Sequence, residues 1–84
     1  MNIYVGNLDF KVNESDLIEA FEAYGTVASA KIIIDKFSDR SKGFGFVTME
    51  NQDEANKAIN ELNGATLKNR EMVVNEARPM KSNY

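Results

Sequence analysis

The sequence predicts an α+β fold, the ferredoxin-like β-α-β-β-α-β sandwich, in which a four-stranded antiparallel sheet carries two helices on one face. Three observations support this prediction. The chain has 84 residues, the size of one small domain. Two segments show the apolar spacing of amphipathic helices, and four segments rich in β-branched and aromatic residues alternate with them in that order. Right-handed crossovers place both helices on one side, which leaves the other sheet face open.

The first strand is predicted at Ile3–Leu8, and the first helix follows in residues 14–24. The apolar residues of this helix recur at i, i+4 and i+7, namely Leu17, Phe21 and Tyr24. Asn13 is suited to cap the helix, with Asp16 three residues later. Gly25 is predicted to end the helix in the left-handed conformation.

The second and third strands are predicted at Val27–Ile34 and Gly43–Met49, followed by a second helix in residues 52–62. The apolar residues of that helix are Ala55, Ala58, Ile59 and Leu62. Asn51 and Glu54 have the spacing of a capping box at its start, and Gly64 is the predicted stop.

The fourth strand is predicted at Met72–Ala77. The whole domain is expected to cover residues 1–79, and residues 80–84 are expected to form a short C-terminal tail.

The composition excludes several classes of function. Cysteine and histidine are both absent, which excludes disulfide scaffolds, thiolate metal sites and catalytic triads that use histidine. We therefore predict no metal and no cofactor. Apolar runs do not exceed three residues, so no membrane segment is predicted, and the first residues lack a secretory pattern. A cytoplasmic location is expected.

The charge distribution matters more than the net charge of −3. The two helical windows contain seven acidic residues and one basic residue, whereas the rest of the chain contains nine basic and six acidic residues. The acidity therefore belongs mainly to the helical side, and the negative total does not exclude a polyanion on the open sheet face.

Three aromatic residues are predicted to share that open face. Side chains alternate along a strand, so Val47 faces the core while Phe44 and Phe46 point outward. The other positions assigned to the outer side of this strand are Lys42 and Thr48, opposite the inward set Gly43, Gly45 and Met49. On the first strand, Tyr4 also points outward. Exposed rings grouped on one surface suggest a platform for flat ligands.

Both aromatic strands carry a recognisable motif. Lys42–Val47 matches the first six positions of the RNP1 signature, and Ile3–Leu8 matches RNP2 at every position. The chain therefore resembles the RNA recognition motif family, and in particular its small, free-standing bacterial members. The one departure in RNP1 is Met49, where an aromatic residue is usual. In the loops, Asp39 and Asn69 occupy positions where many members have glycine, and both residue types tolerate the left-handed conformation.

The resemblance implies a single-stranded RNA partner, with single-stranded DNA bound more weakly, and a role in post-transcriptional regulation or RNA chaperoning. The implied RNA-binding residues are Tyr4, Lys31, Ile33, Lys42, Phe44, Phe46, Thr48, Asn75, Ala77 and Arg78. Asn7 and Arg40 are further candidates. In this arrangement, Tyr4 and Phe44 each stack on a base, and Phe46 inserts between sugars. Lysine and arginine side chains contact phosphates, and the fourth strand contacts base edges.

Some of these residues have alternative structural interpretations. Lys31 is also the kind of residue that protects an edge strand from aggregation. Asn7 is a candidate brace for a loop, and Arg40 a solvated loop charge. The fourth-strand positions are also compatible with an ordinary strand end. Phe37 either contacts a base or covers the sheet edge, and the sequence does not distinguish these.

Two other classes of function are compatible with the fold. A protein-interaction module is the main alternative, but such members typically lose the signature aromatics, which this chain retains. The acidic helices nevertheless suit a basic protein partner. An enzyme is not predicted, because the glycines around Phe44 lie within a strand rather than in a phosphate loop. We expect a monomer, because the exposed apolar face is assigned to RNA.

Overall fold

The structure is a computed structural model that describes residues 1–38 and 41–77. The elements in chain order are β1 (Asn2–Gly6), α1 (Glu14–Glu22), β2 (Ser29–Ile34), β3 (Ser41–Thr48), α2 (Gln52–Leu62), β4 (Thr66–Leu67), β5 (Arg70–Glu71) and β6 (Val73–Glu76). The main sheet has the strand order β2-β3-β1-β6, and each neighbouring pair is antiparallel. The predicted ferredoxin-like sandwich is confirmed, with β6 as its fourth strand.

One face of the sheet packs against both helices to form the core. On β1, Ile3 and Val5 have no exposed surface, and on β3 the same is true of Val47. The helices contribute to this cluster the buried residues Leu17, Phe21, Ala55, Ala58 and Leu62. The period-two alternation therefore places the remaining face of β1 and β3 outside the core.

The helix starts differ from the predicted pattern. The reciprocal capping box occurs at α1, where Asn13 Oδ1 accepts from the Asp16 N–H and Asp16 Oδ2 accepts from the Asn13 N–H. At α2, Asn51 accepts from the Glu54 N–H, but Glu54 Oε1 accepts from the N–H of Thr26 at 3.2 Å. The predicted capping box at α2 is therefore replaced by a tie to the loop before β2.

The predicted glycine stops are half right. Gly64 has φ +88°, as a left-handed stop requires. Gly25 is not among the glycines with positive φ, so that prediction is wrong. Its role is steric, because a Cβ at Gly25 would collide with the Glu54 side chain. The absence of a side chain lets Glu54 reach the adjacent Thr26.

A short hairpin of β4 and β5 lies between α2 and β6 and was not predicted. Lys68 and Asn69 form its tip with φ values of 49° and 78°. Two left-handed residues are the requirement of a type I′ turn, so the expected tolerance of Asn69 is confirmed. Lys68 Nζ lies 3.8 Å from Asp16 Oδ2 of α1, which ties the tip to the helical side.

The strands are shorter than predicted at several ends. Leu8 is buried but lies beyond β1, because Asn7 turns the chain with φ 55°. Val27 and Ala28 precede β2, and Met49, Met72 and Ala77 fall just outside their strands.

The β2–β3 register shifts between Ile32 and Ile34, and Gly43 has φ +86°. Simple alternation on β3 therefore holds from Phe44 to Thr48 and does not extend back to Lys42.

Candidate nucleic-acid interface

A row of four side-chain positions crosses the open face of the sheet. Strand pairing places Lys31 of β2 opposite Phe46 of β3, Phe46 opposite Tyr4 of β1, and Tyr4 opposite Asn75 of β6. Directly opposed residues on one face have Cβ atoms about 5 Å apart. Four predicted site residues that are distant in the sequence therefore lie side by side, with Lys31 and Asn75 exposed at the two ends.

Three aromatic rings form a triangular cluster at the centre of this face. The Tyr4 centroid lies 6.0 Å from those of Phe44 and Phe46, and the two Phe centroids lie 6.2 Å apart. The interplanar angle is 32° between Tyr4 and Phe44 and 88° between the two Phe rings. Phe46 is 37% exposed and the other two are partly exposed. Each ring contacts its neighbours by an edge or a tilt and keeps surface for a ligand.

The strand geometry that supports the rings depends on two glycines. A Cβ at Gly6 would lie 2.7 Å from Tyr4 Cζ, so the Tyr4 ring rests over the glycine two residues further along β1. A Cβ at Gly45 would collide with the carbonyl oxygen of Lys31. Gly45 thus permits close approach of β2 and β3 beside the rings. These glycines belong to the two signature segments.

A second row borders the rings on the side of the β3 end. Thr48 pairs with Asn2 and with Ser29, and Thr48 Oγ1 donates to Asn2 Oδ1 at 2.9 Å. Ala77 N–H donates to the Asn2 carbonyl at 2.8 Å. Thr48 and Ala77 therefore flank the ring cluster, as the resemblance requires of RNA-contact positions, and their contact with RNA remains a prediction.

The opposite border contains an apolar residue that was not predicted. Gly6 pairs with Val73 of β6, which is 43% exposed. Val73 is two residues before Asn75 on the same strand and therefore lies on the same face. Val73 could have been recognised from the sequence, because it lies two positions before Asn75 and side chains alternate along a strand. Two other predicted site residues also have exposed surface. Ile33 on β2 is partly exposed, and Lys42, which directly precedes Gly43 on β3, is exposed.

Asn7 acts as a brace at the end of β1. Its Nδ2 donates to the carbonyl of Glu71 at 2.7 Å, and its Oδ1 accepts from Arg70 Nη2 at 2.8 Å. Both ends of the amide are thus engaged with β5. This matches the structural alternative for Asn7, and a direct contact with RNA stays a prediction.

Phe37 does not cover the sheet edge. Its side chain is fully exposed in the β2–β3 loop, and its N–H donates to Asp35 Oδ1 at 2.8 Å in a local turn. Phe10, in the β1–α1 loop, is 64% exposed and was not singled out from the sequence. Arg40 and Arg78, two of the predicted site residues, lie outside the described residues, as do Asp39 and the predicted tail.

Three further features of the described residues concern metal ions, membranes and the distribution of charge. In residues 1–38 and 41–77, no group of three or more acidic side chains is arranged to hold a metal ion. Neither α1 nor α2 has the length and apolarity of a membrane-crossing helix. The acidic side chains of the helices include the exposed Glu14, Glu19, Glu22, Asp53 and Glu61. The open face carries Lys31.

Residues 3–73 match the family model described as RNA recognition motif. The chain belongs to the RNA recognition motif family, and the resemblance of its two signatures is confirmed.

Individual relatives agree over almost the whole chain. Small RNA-binding protein 11, chloroplastic, of Arabidopsis thaliana is 46% identical over 80 residues, which are 95% of this chain and 55% of that protein. The Synechocystis protein RbpA is 43% identical over 79 residues, which are 94% of this chain and 78% of the relative. Among solved structures, RNA Binding Protein PG1 superimposes with a TM-score of 0.89 at 48% identity, covering 94% of this chain and 98% of that one.

A structure solved with nucleic acid also has this fold. The Sxl-lethal protein/RNA complex matches with a TM-score of 0.89 at 30% identity, over 96% of this chain and 48% of that chain. The chain spans 55% of the first Arabidopsis relative and 25% of the Arabidopsis 29 kDa ribonucleoprotein. The rest of each of those longer proteins lies outside the region matched to this chain.

Proposed function

We propose that this chain binds single-stranded RNA on the open face of the sheet. The observation that supports this most directly is the cluster of Tyr4, Phe44 and Phe46, three rings within 6.2 Å of one another outside the core. Rings that are kept partly exposed have surface available for bases, and every base has a π-face. The RNA named in the Sxl-lethal complex supports the same proposal, since that protein shares the fold.

The proposed mechanism assigns different tasks to the row across the sheet. Tyr4 and Phe44 each accept a stacked base, and Phe46 contacts the sugars between them. In this mechanism Lys31, at one exposed end of the row, contacts a phosphate, and Asn75, at the other end, contacts a base edge. Single strands are required, because a duplex hides the faces of its bases.

The proposal is tested with three variants at one position. Phe44→Tyr keeps the ring, Phe44→Leu keeps apolar bulk without a π-face, and Phe44→Ala removes both. Titration of each with a fluorescently labelled single-stranded RNA pool should show near wild-type affinity for Tyr and weaker binding for Leu and Ala. We expect a loss of roughly 5- to 150-fold for Ala, the value of about 1–3 kcal/mol for one stacked base.

Two results would contradict this proposal. Equal affinity for a duplex of the same sequence would exclude base stacking as the source of binding. Equal affinity of the Phe44→Leu and Phe44→Tyr variants would show that position 44 contributes as an apolar contact and not by stacking. The control on the opposite face is the double variant Glu19→Gln with Glu22→Gln, two exposed positions of α1, which should leave the preferred RNA sequences unchanged.

A second candidate, binding of a basic protein segment, is supported by the acidic helical face. Five of its carboxylates are exposed, on α1 and α2. The same Glu19→Gln and Glu22→Gln variant tests it, because a helical docking site loses affinity for a lysine-rich peptide while an RNA-binding sheet is unaffected.

We infer a monomeric, non-catalytic RNA-binding domain of residues 1–79 that acts in the cytoplasm and binds single-stranded DNA more weakly than RNA. The family provides the support for a binding role, and light scattering that shows a stable dimer burying Phe44 would contradict the monomer.

A further inference from the structure

Arg70 is held beside the end of β1 by a specific pair of hydrogen bonds. Its Nη2 donates to Asn7 Oδ1 at 2.8 Å, and Asn7 Nδ2 in turn donates to the Glu71 carbonyl at 2.7 Å. Arg70 and Asn7 are 63 residues apart in the sequence. The amide therefore fixes the position of the guanidinium from one side while it is itself anchored to the backbone of β5.

This position is at the end of β1, the strand that carries Tyr4 of the aromatic cluster. Asn7 directly follows Gly6, and the Tyr4 ring rests over Gly6. Gly6 is paired with the exposed Val73, whose strand carries Asn75 at the end of the row of site residues. The Arg70 guanidinium therefore lies at the end of β1 toward which the Tyr4 ring is directed.

The guanidinium has donors to spare. It carries five N–H groups in a planar fork, and the described structure gives Asn7 one of them. Within residues 1–38 and 41–77, no carboxylate lies at ion-pairing distance from Arg70. Lys68, on the same hairpin, differs because its ammonium is paired with Asp16 of α1.

We propose that Arg70 binds a phosphate of the single-stranded RNA that occupies the aromatic cluster, and that Asn7 is its positioning residue. This inference rests on the proposed function. A phosphodiester is the ligand whose geometry suits a planar fork with free donors, because it accepts two parallel N–H bonds. Prior orientation by Asn7 reduces the side-chain entropy that such a contact costs.

The deciding measurement is the salt dependence of RNA affinity for Arg70→Ala and its matched control Lys68→Ala. Both variants remove one positive charge from the same hairpin. Arg70→Ala should weaken binding about 3- to 10-fold and reduce the slope of log affinity against log salt by about 0.7, the value of one single-strand phosphate contact. Lys68→Ala should leave the slope unchanged.

Two further variants separate a phosphate contact from a structural tie. Arg70→Lys should keep the salt slope but lose part of the affinity, because it retains the charge without the fork. Asn7→Gly tolerates φ 55° and removes both hydrogen bonds. It should weaken binding in the wild-type background and have no further effect in the Arg70→Ala background. Thermal unfolding of each variant shows that the folded domain is being compared.

The outcomes distinguish this inference from the proposed function. If Arg70→Ala and Lys68→Ala match in affinity and slope while Phe44→Ala still weakens binding, the assignment of Arg70 is wrong and the platform stands. If the wild-type protein does not bind single-stranded RNA, both proposals fail. Additive effects of Asn7→Gly and Arg70→Ala would overturn the positioning role of Asn7.

Discussion

The ring of Tyr4 lies over Gly6 so closely that a Cβ at Gly6 would come within 2.7 Å of Tyr4 Cζ. The backbone of Gly6 is not in the left-handed region, so the need for glycine is one of space and not of conformation. The orientation of one of the three rings therefore depends on a missing methyl group, and the signature glycine serves the ligand surface more than the fold.

Gly6→Ala should displace the Tyr4 ring and weaken single-stranded RNA binding. The loss should approach the value of one stacked base, about 1–3 kcal/mol. Stability should change by about 1 kcal/mol or less, because the side chain that must move is partly exposed. In a Tyr4→Ala background the same substitution should have no effect on affinity. Affinity measured across this double-mutant cycle checks the prediction, and an undiminished effect without Tyr4 would contradict it.

Neighbouring positions on β3 should respond in opposite ways. Phe46 is 37% exposed, whereas Val47 is fully buried. Phe46→Ala should cost about 1 kcal/mol of unfolding free energy, from its ring contacts, and should weaken RNA binding. Val47→Ala should cost about 2 kcal/mol through a core cavity and leave the affinity of the folded protein unchanged.

Chemical denaturation and RNA titration of both variants test this contrast. A Phe46→Ala protein that loses as much stability as a buried Phe→Ala change, about 3–5 kcal/mol, would place the ring in the core.

The parts of the site that follow from strand periodicity were predictable from the sequence. Ile3 and Val5 alternate with Tyr4, and Val47 alternates with Phe46, so a buried core on one face implies rings on the other. Each of these inferences needs only the local pattern and the fold class. The structure adds the pairing that places Lys31 and Asn75 in one row with the rings.

The contacts that were not predicted depend on residues distant in the chain. The Asn7–Arg70 hydrogen bond joins residues 63 apart, and the Glu54–Thr26 hydrogen bond joins residues 28 apart. Helix-capping rules pair Glu54 with the nearby Asn51. In the folded chain, Glu54 Oε1 accepts from the N–H of Thr26 instead. The spacing of residues along the sequence does not indicate whether a side chain bonds its local or its distant partner.

Gly25→Ala should destabilise the fold although the φ of Gly25 is not positive. A Cβ there would lie 2.5 Å from the Glu54 Cδ, so the side chain must leave the Thr26 N–H to avoid it. We expect a loss of about 1–2 kcal/mol, the value of leaving a hydrogen bond unmade together with local strain. In a Glu54→Ala background the cost should nearly disappear. Denaturation of the four proteins of this cycle provides the measurement, and an equal cost in both backgrounds would point to the backbone instead.

RNA binding should have a shallow salt dependence, in spite of the polyanionic ligand. Phosphate contacts are assigned to Lys31, Lys42, Arg70 and Arg78, and each contributes about −0.7 to the log–log slope on a single strand. Two to four contacts predict a slope of about −1.4 to −2.8.

Lys31→Ala should reduce the magnitude of this slope by about 0.7, because Lys31 is exposed opposite Phe46. Lys57→Ala, which removes an exposed lysine from α2, should leave it unchanged. If Lys31→Ala has no effect on the slope but the protein aggregates more readily, Lys31 protects the edge of β2 and does not contact RNA. A wild-type slope of −5 or steeper would require a basic surface broader than these four residues.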